Sequence, residues 1–278
     1  HLIDEATELN GEVLYMNHEK LKEKTIQMKP FFQRKLLEQT QKWEKQMNVA
    51  TNPSLLDQYE HYKNITILDG ESMEYMMIKD FRHGKLVSQI QVEGQEILDE
   101  IKRSEKKVIF ISGHFSNFEL MAMYLEKTGI KLSTIYRPLN NIFLNGIMEG
   151  IRKKFICKHQ IKKGIGGLKK LISLKKNNYS TALMIDQRVS EGVLCNLFNQ
   201  DALTTTIPAQ LVKKYNIPVV PVYIERIKNL NFKISINNPI NFSKEDSVKN
   251  ITLKLNQILE TMILKKPEQW IWSHNRWK

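Results

Sequence analysis

The sequence predicts an α/β fold, a central mixed β-sheet flanked by helices, and three observations carry that prediction. Short apolar runs recur at 108–111, 132–136, 181–185 and 219–224. Stretches with helical periodicity separate them, an alternation that builds a sheet with helices on its faces. Polar residues able to do chemistry follow two of the runs directly, His114 after the first and Asp186 after the third. In sheets of this kind ligands lie beyond the carboxyl ends of the strands.

Taken in order, the pattern gives a helix over 98–106, a strand over 107–112 and a helix over 117–128. A strand follows at 132–136, then helical stretches at roughly 140–156 and 165–177, and a strand at 181–185. A short strand near 193–198 precedes a helix over 205–215, strands over 219–224 and 232–236, and a long amphipathic helix over 248–264. These elements belong to a domain over 74–278. Residues 1–73 are polar and charge-rich, with a break at Asn48-Val49-Ala50-Thr51-Asn52-Pro53-Ser54, and read as an irregular helical extension.

A chain of 278 residues with 41% hydrophobic content buries one substantial core. Its net charge of +12 points to anionic partners: phosphorylated lipids, a membrane surface, an acidic carrier protein or nucleic acid. Two cysteines, Cys157 and Cys195, have neither metal-ligand spacing nor the count of a disulfide framework, which fits a reducing compartment. No run of about 18 apolar residues is present, so no membrane-spanning helix is expected within the sequence. No signal peptide opens it, and because it starts at His1, any anchor upstream would be invisible.

The most informative motif is Gly113-His114-Phe115-Ser116-Asn117-Phe118-Glu119, a histidine and a glutamate separated by four residues between a strand and a helix. An imidazole at a strand end, held by a carboxylate, can deprotonate a hydroxyl that then attacks an acyl group. The same residues also fit a capping box, with Ser116 as N-cap and Glu119 three residues on, and the two readings are compatible. Arg137, before Pro138, is either a clamp for a phosphate or carboxylate or a surface arginine ahead of a turn. Asp186, followed by Gln187 and Arg188, is either a substrate or site-structuring group or an aspartate that starts a turn.

Residues 151–176 hold ten basic residues, Arg152, Lys153, Lys154, Lys158, Lys162, Lys163, Lys169, Lys170, Lys175 and Lys176, and no acid. An anion-binding face is expected there. Within it, Gly164-Ile165-Gly166-Gly167 would let backbone approach a phosphate at a helix start. The Lys-Ser/Thr of a P-loop is missing, so no nucleotide is expected. No metal is expected either, since His114 and Glu119 lack companion ligands at metal-site spacing. The terminal block Pro267-Glu268-Gln269-Trp270-Ile271-Trp272-Ser273-His274-Asn275-Arg276 reads as a strand with a buried aromatic face or as an interface.

In this order, His114 with Glu119, Arg137-Pro138, Asp186-Gln187, Phe198 with Thr204-Thr205-Thr206, and the terminal tryptophan block resemble the lipid A biosynthesis lauroyl/myristoyl acyltransferase family. That family is part of the wider glycerolipid and lysophospholipid acyltransferase group. The resemblance covers about 74–278 and implies an acyltransferase-like fold. It implies transfer of a fatty acyl chain from an acyl carrier protein or coenzyme A thioester, as co-substrate, to a hydroxyl of a lipid A precursor. It places the reaction at the cytoplasmic face of a bacterial inner membrane. It also implies His114 as general base, Glu119 as its partner, and Arg137, Asp186, Gln187 and Arg188 as substrate-binding residues. No further cofactor is implied. Residues 1–73 do not match the membrane anchor and helical region with which the family usually begins.

Two rival expectations stand beside this one. A glycerophosphate or lysophospholipid acyltransferase would more often carry aspartate where Glu119 stands, and would lack the terminal tryptophan block. A non-catalytic, basic, membrane-peripheral or nucleic-acid-binding protein would need only the charged surface. No aromatic-basic RNA motif or helix-turn-helix supports nucleic acid as a partner. Convergence of His114, Glu119 and Arg137 at one pocket would separate an enzyme from a binding protein.

Overall fold

A computed structural model describes residues 81–84, 87–138, 145, 149–176, 178–228, 231–271 and 276–277. The expected N-terminal extension over 1–73 lies outside the described residues, as does most of the stretch 139–148. In chain order the elements are β1 (Ile90–Glu93), α1 (Gln95–Ser104), β2 (Ile109–Ser112), α2 (Phe118–Lys127), β3 (Leu132–Tyr136), a π-helical turn (Arg152–Ile156), β4 (His159–Lys162), α3 (Ile165–Lys176) and β5 (Ser180–Met184). They continue with β6 (Val193–Leu197), β7 (Gln200–Thr204), α4 (Ile207–Tyr215), β8 (Val219–Lys228), β9 (Asn231–Ile236) and α5 (Val248–Lys265).

Seven strands form one mixed sheet in the order β1-β9-β8-β2-β5-β3-β4. The five strands from β8 to β4 run parallel, and β9 turns back antiparallel on β8. The central strands are uninterrupted apolar runs because helices and loops cover both faces: Ile109, Phe110 and Ile111 of β2 and Val219, Val220 and Val222 of β8 are all buried. A second sheet is the hairpin β6–β7. Its two-residue turn holds Phe198 at φ 53° and Asn199 at φ 60°, the left-handed pair that matches hairpin twist.

Three strands go beyond the sequence expectation. β1 and β4 are four residues each, too short for a clear period, and β4 sits inside the lysine-rich stretch. β7 is legible only through its pairing with β6, since Gln200-Asp201-Ala202 has little strand character of its own. The stretch expected as a helix to residue 156 ends in the π-helical turn.

The capping box is replaced by a different cap. Ser116 adopts a left-handed conformation, φ 41°, so it cannot act as the N-cap. Asn117 does so instead, its Oδ1 accepting from the Leu120 N–H at 3.0 Å. Glu119 thereby falls in the first turn of α2, where the helix dipole favours an anion.

Helix α5 is capped by Ser247 and buries Ile251, Leu255, Leu259 and Met262, one stripe at helical spacing. It packs on the β6–β7 hairpin and on α4. Leu259 reaches the loop after β2: a Cβ on Gly113 would lie 3.1 Å from Leu259 Cδ1 and 2.9 Å from the Phe115 ring. A side chain at this position would therefore displace the Phe115 ring and the Leu259 methyl group.

Candidate active site

The parallel pairing of β2 with β5 builds the site. Ser112 is in register with Met184, and the Ile185 N–H donates to the Ser112 carbonyl at 2.9 Å. Two residues past each strand, His114 and Asp186 therefore emerge side by side at the carboxyl edge of the sheet. His114 Nδ1 lies 2.8 Å from Asp186 Oδ1, and the His114 backbone N–H donates to Asp186 Oδ2 at 2.7 Å. The Trp270 indole N–H donates to the same Oδ2 at 2.9 Å. Asp186 is 1% exposed at its side chain and His114 14%, so the carboxylate is sealed while the ring reaches the surface.

These contacts fix the charges and the tautomer. Burial alone would raise the Asp186 pKa. The facing imidazole, the hydrogen bonds from His114 and the one from Trp270 outweigh it and hold the carboxyl at about 2. An ionised carboxylate can only accept, so Nδ1 carries a proton and Nε2 of the neutral ring is the acceptor. The Gln187 side-chain amide donates to that Nε2 at 3.2 Å. Burial works to lower the His114 pKa, but the Asp186 charge and hydrogen bond reverse this and raise it above 6.5; Glu119 adds to the rise and Arg152 opposes it. The edge of the ring system is completed by Phe118, 4.6 Å between centroids and nearly perpendicular.

Glu119, expected to hold the imidazole, takes a different hydrogen-bonded partner. Its Oε1 accepts from Arg152 Nε at 2.7 Å and lies 2.6 Å from Arg152 Nη2, in a pair whose side chains are 10% and 16% exposed. The guanidinium also sits 5.8 Å above the Tyr136 ring. The residue that orients His114 through Nδ1 is thus Asp186, expected as a substrate-binding, site-structuring or turn residue but not as the partner of the imidazole. The aspartate comes from the strand paired with β2, whereas Glu119 in the first turn of α2 is bonded to Arg152.

Arg137 follows β3 and is exposed. β5 intervenes between β3 and β2, which sets Arg137 roughly 10 Å from the His114 loop at backbone level. Gln187 joins the site directly, and Arg188 is exposed beside it. The basic stretch is less one-sided in space than in sequence. Arg152 pairs with Glu119, while Lys153 and Lys162 pair with Glu149 at 2.7 and 3.2 Å. Those lysine bonds depress Glu149 to about 2, and burial, with Glu149 alongside, pushes the Tyr136 phenol up to about 12. Gly167 of the glycine run has a packing role: a Cβ there would lie 1.8 Å from the Lys162 carbonyl oxygen, so its absence lets α3 close on β4. Among the described residues no group of three His, Cys, Asp or Glu side chains converges as a metal site.

The part of the site that motif reasoning missed is the terminal block. Trp270 makes a single antiparallel bridge with Phe115, while the Ser116 N–H donates to the Gln269 carbonyl at 2.7 Å and the Ile271 N–H to the His114 carbonyl at 3.0 Å. Residues 272–275 of the expected strand lie outside the described residues. Arg276, fully buried, donates to the Leu203 carbonyl and to Thr204 Oγ1, both at 2.7 Å.

Fold and site together define an α/β protein whose sheet edge presents a histidine held by a buried aspartate. The chain belongs to the family described as Bacterial lipid A biosynthesis acyltransferase, whose profile matches residues 63–278. It is similar to Lipid A biosynthesis acyltransferase 2 of Shigella flexneri, 26% identical over 187 residues, covering 65% of this chain and 58% of that protein. It is also similar to Lipid A biosynthesis myristoyltransferase of Escherichia coli (strain K12), 22% identical over 191 residues, 68% of this chain and 58% of the relative. The chain thus spans somewhat more than half the length of the curated relatives it matches. Among the described residues no helix is long and apolar enough to cross a membrane.

Proposed function

We propose that this protein transfers a fatty acyl chain from a thioester to a hydroxyl of a lipid A precursor, with His114 as general base. The observation that carries the proposal is the His114–Asp186 pair at the carboxyl edge of a parallel sheet. Its tautomer leaves Nε2 as the acceptor. Family membership supplies the acyl-transfer chemistry, and the names of the relatives supply lipid A as the acceptor class.

In this reading the acceptor hydroxyl takes the place of the Gln187 amide at Nε2. His114 removes its proton as the oxygen bonds to the thioester carbonyl carbon. Asp186 stabilises the imidazolium that forms. The tetrahedral intermediate collapses with cleavage of the carbon–sulfur bond, and the proton passes from Nε2 to the thiolate or to solvent. The oxyanion needs hydrogen-bond donors; backbone N–H groups near Gly113 or the Arg137 guanidinium are the candidates. Glu119 acts with His114 through charge, raising its basicity, and anchors Arg152 at the start of α2. Arg137 and Arg188 stand exposed on the same edge for phosphate groups of the acceptor. The acyl donor is a carrier-protein or coenzyme A thioester. The basic surface would meet an acidic carrier, lipid phosphates and the cytoplasmic face of the inner membrane.

The test is acyl transfer with purified carrier-protein and coenzyme A thioesters on a lipid A precursor, read by mass spectrometry. His114→Ala is expected to lose a factor of about 10²–10⁴ in kcat, the usual contribution of a positioned base. A variant that keeps the full rate would refute the assignment. Asp186→Asn should lose nearly as much, because an amide can no longer stabilise the imidazolium.

A further inference from the structure

The proposed mechanism uses the two oxygens of Asp186 unequally. Oδ1 faces the imidazole, whereas Oδ2 is held by two donors that take no part in proton transfer, the His114 backbone N–H and the Trp270 indole N–H. Trp270 is almost completely buried, and its indole–carboxylate bond spans 84 residues of chain. The segment that carries it brackets the histidine loop from both sides, through the Gln269 carbonyl and the Ile271 N–H. Gln269 is itself fixed, its side-chain amide pairing with both the N–H and the carbonyl of Arg226 on β8, at 2.7 and 2.8 Å. A buried indole N–H needs an acceptor, and here that acceptor is the carboxylate that orients the histidine.

We infer that Trp270 is a positioning residue: its indole N–H fixes the Asp186 carboxylate and thereby sets the basicity of His114. This rests on His114 acting as the base. The bond favours one protonation state of the ring over the other. A hydrogen bond to a carboxylate is strongest when nothing else neutralises the charge. Asp186 faces a neutral ring before proton transfer and an imidazolium after it, so the Trp270 bond stabilises the neutral-ring state more. It therefore limits how far Asp186 raises the His114 pKa. The other charged groups around the pair are Glu119 of α2 and Arg152 after α2, which act on the ring in opposite senses, and Arg276 beyond Trp270, which feels the Asp186 charge. Among the described residues none of them hydrogen-bonds Oδ2, so removing the indole N–H leaves that oxygen with the His114 backbone N–H as its donor.

The test replaces the donor and keeps the shape. Trp270→Phe removes the N–H. Incorporation of β-(3-benzothienyl)alanine at position 270 substitutes sulfur for the N–H in a ring of nearly the same size, which preserves folding if Trp270→Phe does not. The His114 ring is titrated by NMR, and the pH–rate profile is recorded in parallel. The expected result is a His114 midpoint raised by about half to one pH unit, with the alkaline rise of the rate moved by the same amount. A His114 midpoint unchanged in the folded benzothienyl protein would overturn the inference, because a purely structural tryptophan predicts no shift. Loss of the base role itself would show separately, as a His114→Ala protein with full activity.

Discussion

At the scale of single residues, the site concentrates unfavourable features that a fold alone would not retain. Ser116 holds φ 41° without being glycine, and among the described residues neither its buried Oγ nor the buried Asn117 Nδ2 has a hydrogen-bond partner. A left-handed non-glycine residue costs on the order of 1–2 kcal/mol, and the loop keeps it because Gln269 holds its N–H while Asp186 and Ile271 hold the backbone of His114. Ser116→Gly should relieve that strain and raise stability by about 0.5–1 kcal/mol, measured by urea unfolding at fixed pH. A destabilised glycine variant would mean that the serine hydroxyl is held by a contact this geometry does not contain. The residue scale is also where sequence reading was weakest. His114 and Glu119 are conspicuous because they are near in sequence, yet the ring's hydrogen-bonded acid is 72 residues away. Nothing in a run such as Met184-Ile185-Asp186 reveals which strand it will lie beside. That is decided when β5 inserts between β2 and β3, which are neighbours in the chain.

At the scale of elements, the long apolar and amphipathic segments were legible because burial imposes the period directly. β3 and the start of α5 fall where the pattern puts them. β1, β4 and β7 were not, because each is stabilised by pairing with a partner strand, β1 with β9, β4 with β3 and β7 with its hairpin neighbour β6, rather than by its own composition. The β6–β7 hairpin depends further on a tail that follows it by some seventy residues. Arg276 is fully buried, its pKa lowered to about 10 by burial, and it holds Leu203 and Thr204. Asn256 of α5 donates to the same Thr204 hydroxyl and to the Asn196 carbonyl, and the Trp277 indole donates to the Leu197 carbonyl at 3.1 Å. Arg276→Ala should cost about 2–3 kcal/mol, the loss of two charge-assisted bonds and the exposure of their buried acceptors. Thermal unfolding measures that loss, and hydrogen exchange should show it first in β6 and β7. Protection loss spread evenly over the central sheet would argue that the tail stabilises the fold without bracing the hairpin.

At the scale of the whole molecule, the pair at the sheet edge links catalysis to stability through pH, in opposite directions. The folded pKa of His114 is raised above 6.5, so its favourable interaction with Asp186 is fully present below 6.5 and is lost as pH rises through the folded value. Asp186 is depressed from 3.8 to about 2, so its contribution is present above 3.8 and is lost as pH falls toward 2. The pair therefore stabilises the fold most between these two limits, while the neutral imidazole that the proposed mechanism needs appears only above the upper one. Acyl transfer should rise with pH across an interval whose midpoint lies above 6.5. Over the same interval the stability advantage of the native protein over His114→Ala should shrink. Guanidinium unfolding of both proteins at a series of pH values between 5 and 9, alongside the native rate profile, makes the comparison. A rate midpoint at or below 6.5, or a stability difference that stays flat while the rate climbs, would mean that Asp186 does not carry the imidazolium's charge. The same coupling explains why the carboxylate is sealed and the ring is not. Burial keeps water from competing for Asp186, and the ring's remaining exposure leaves Nε2 open to the hydroxyl of the proposed mechanism.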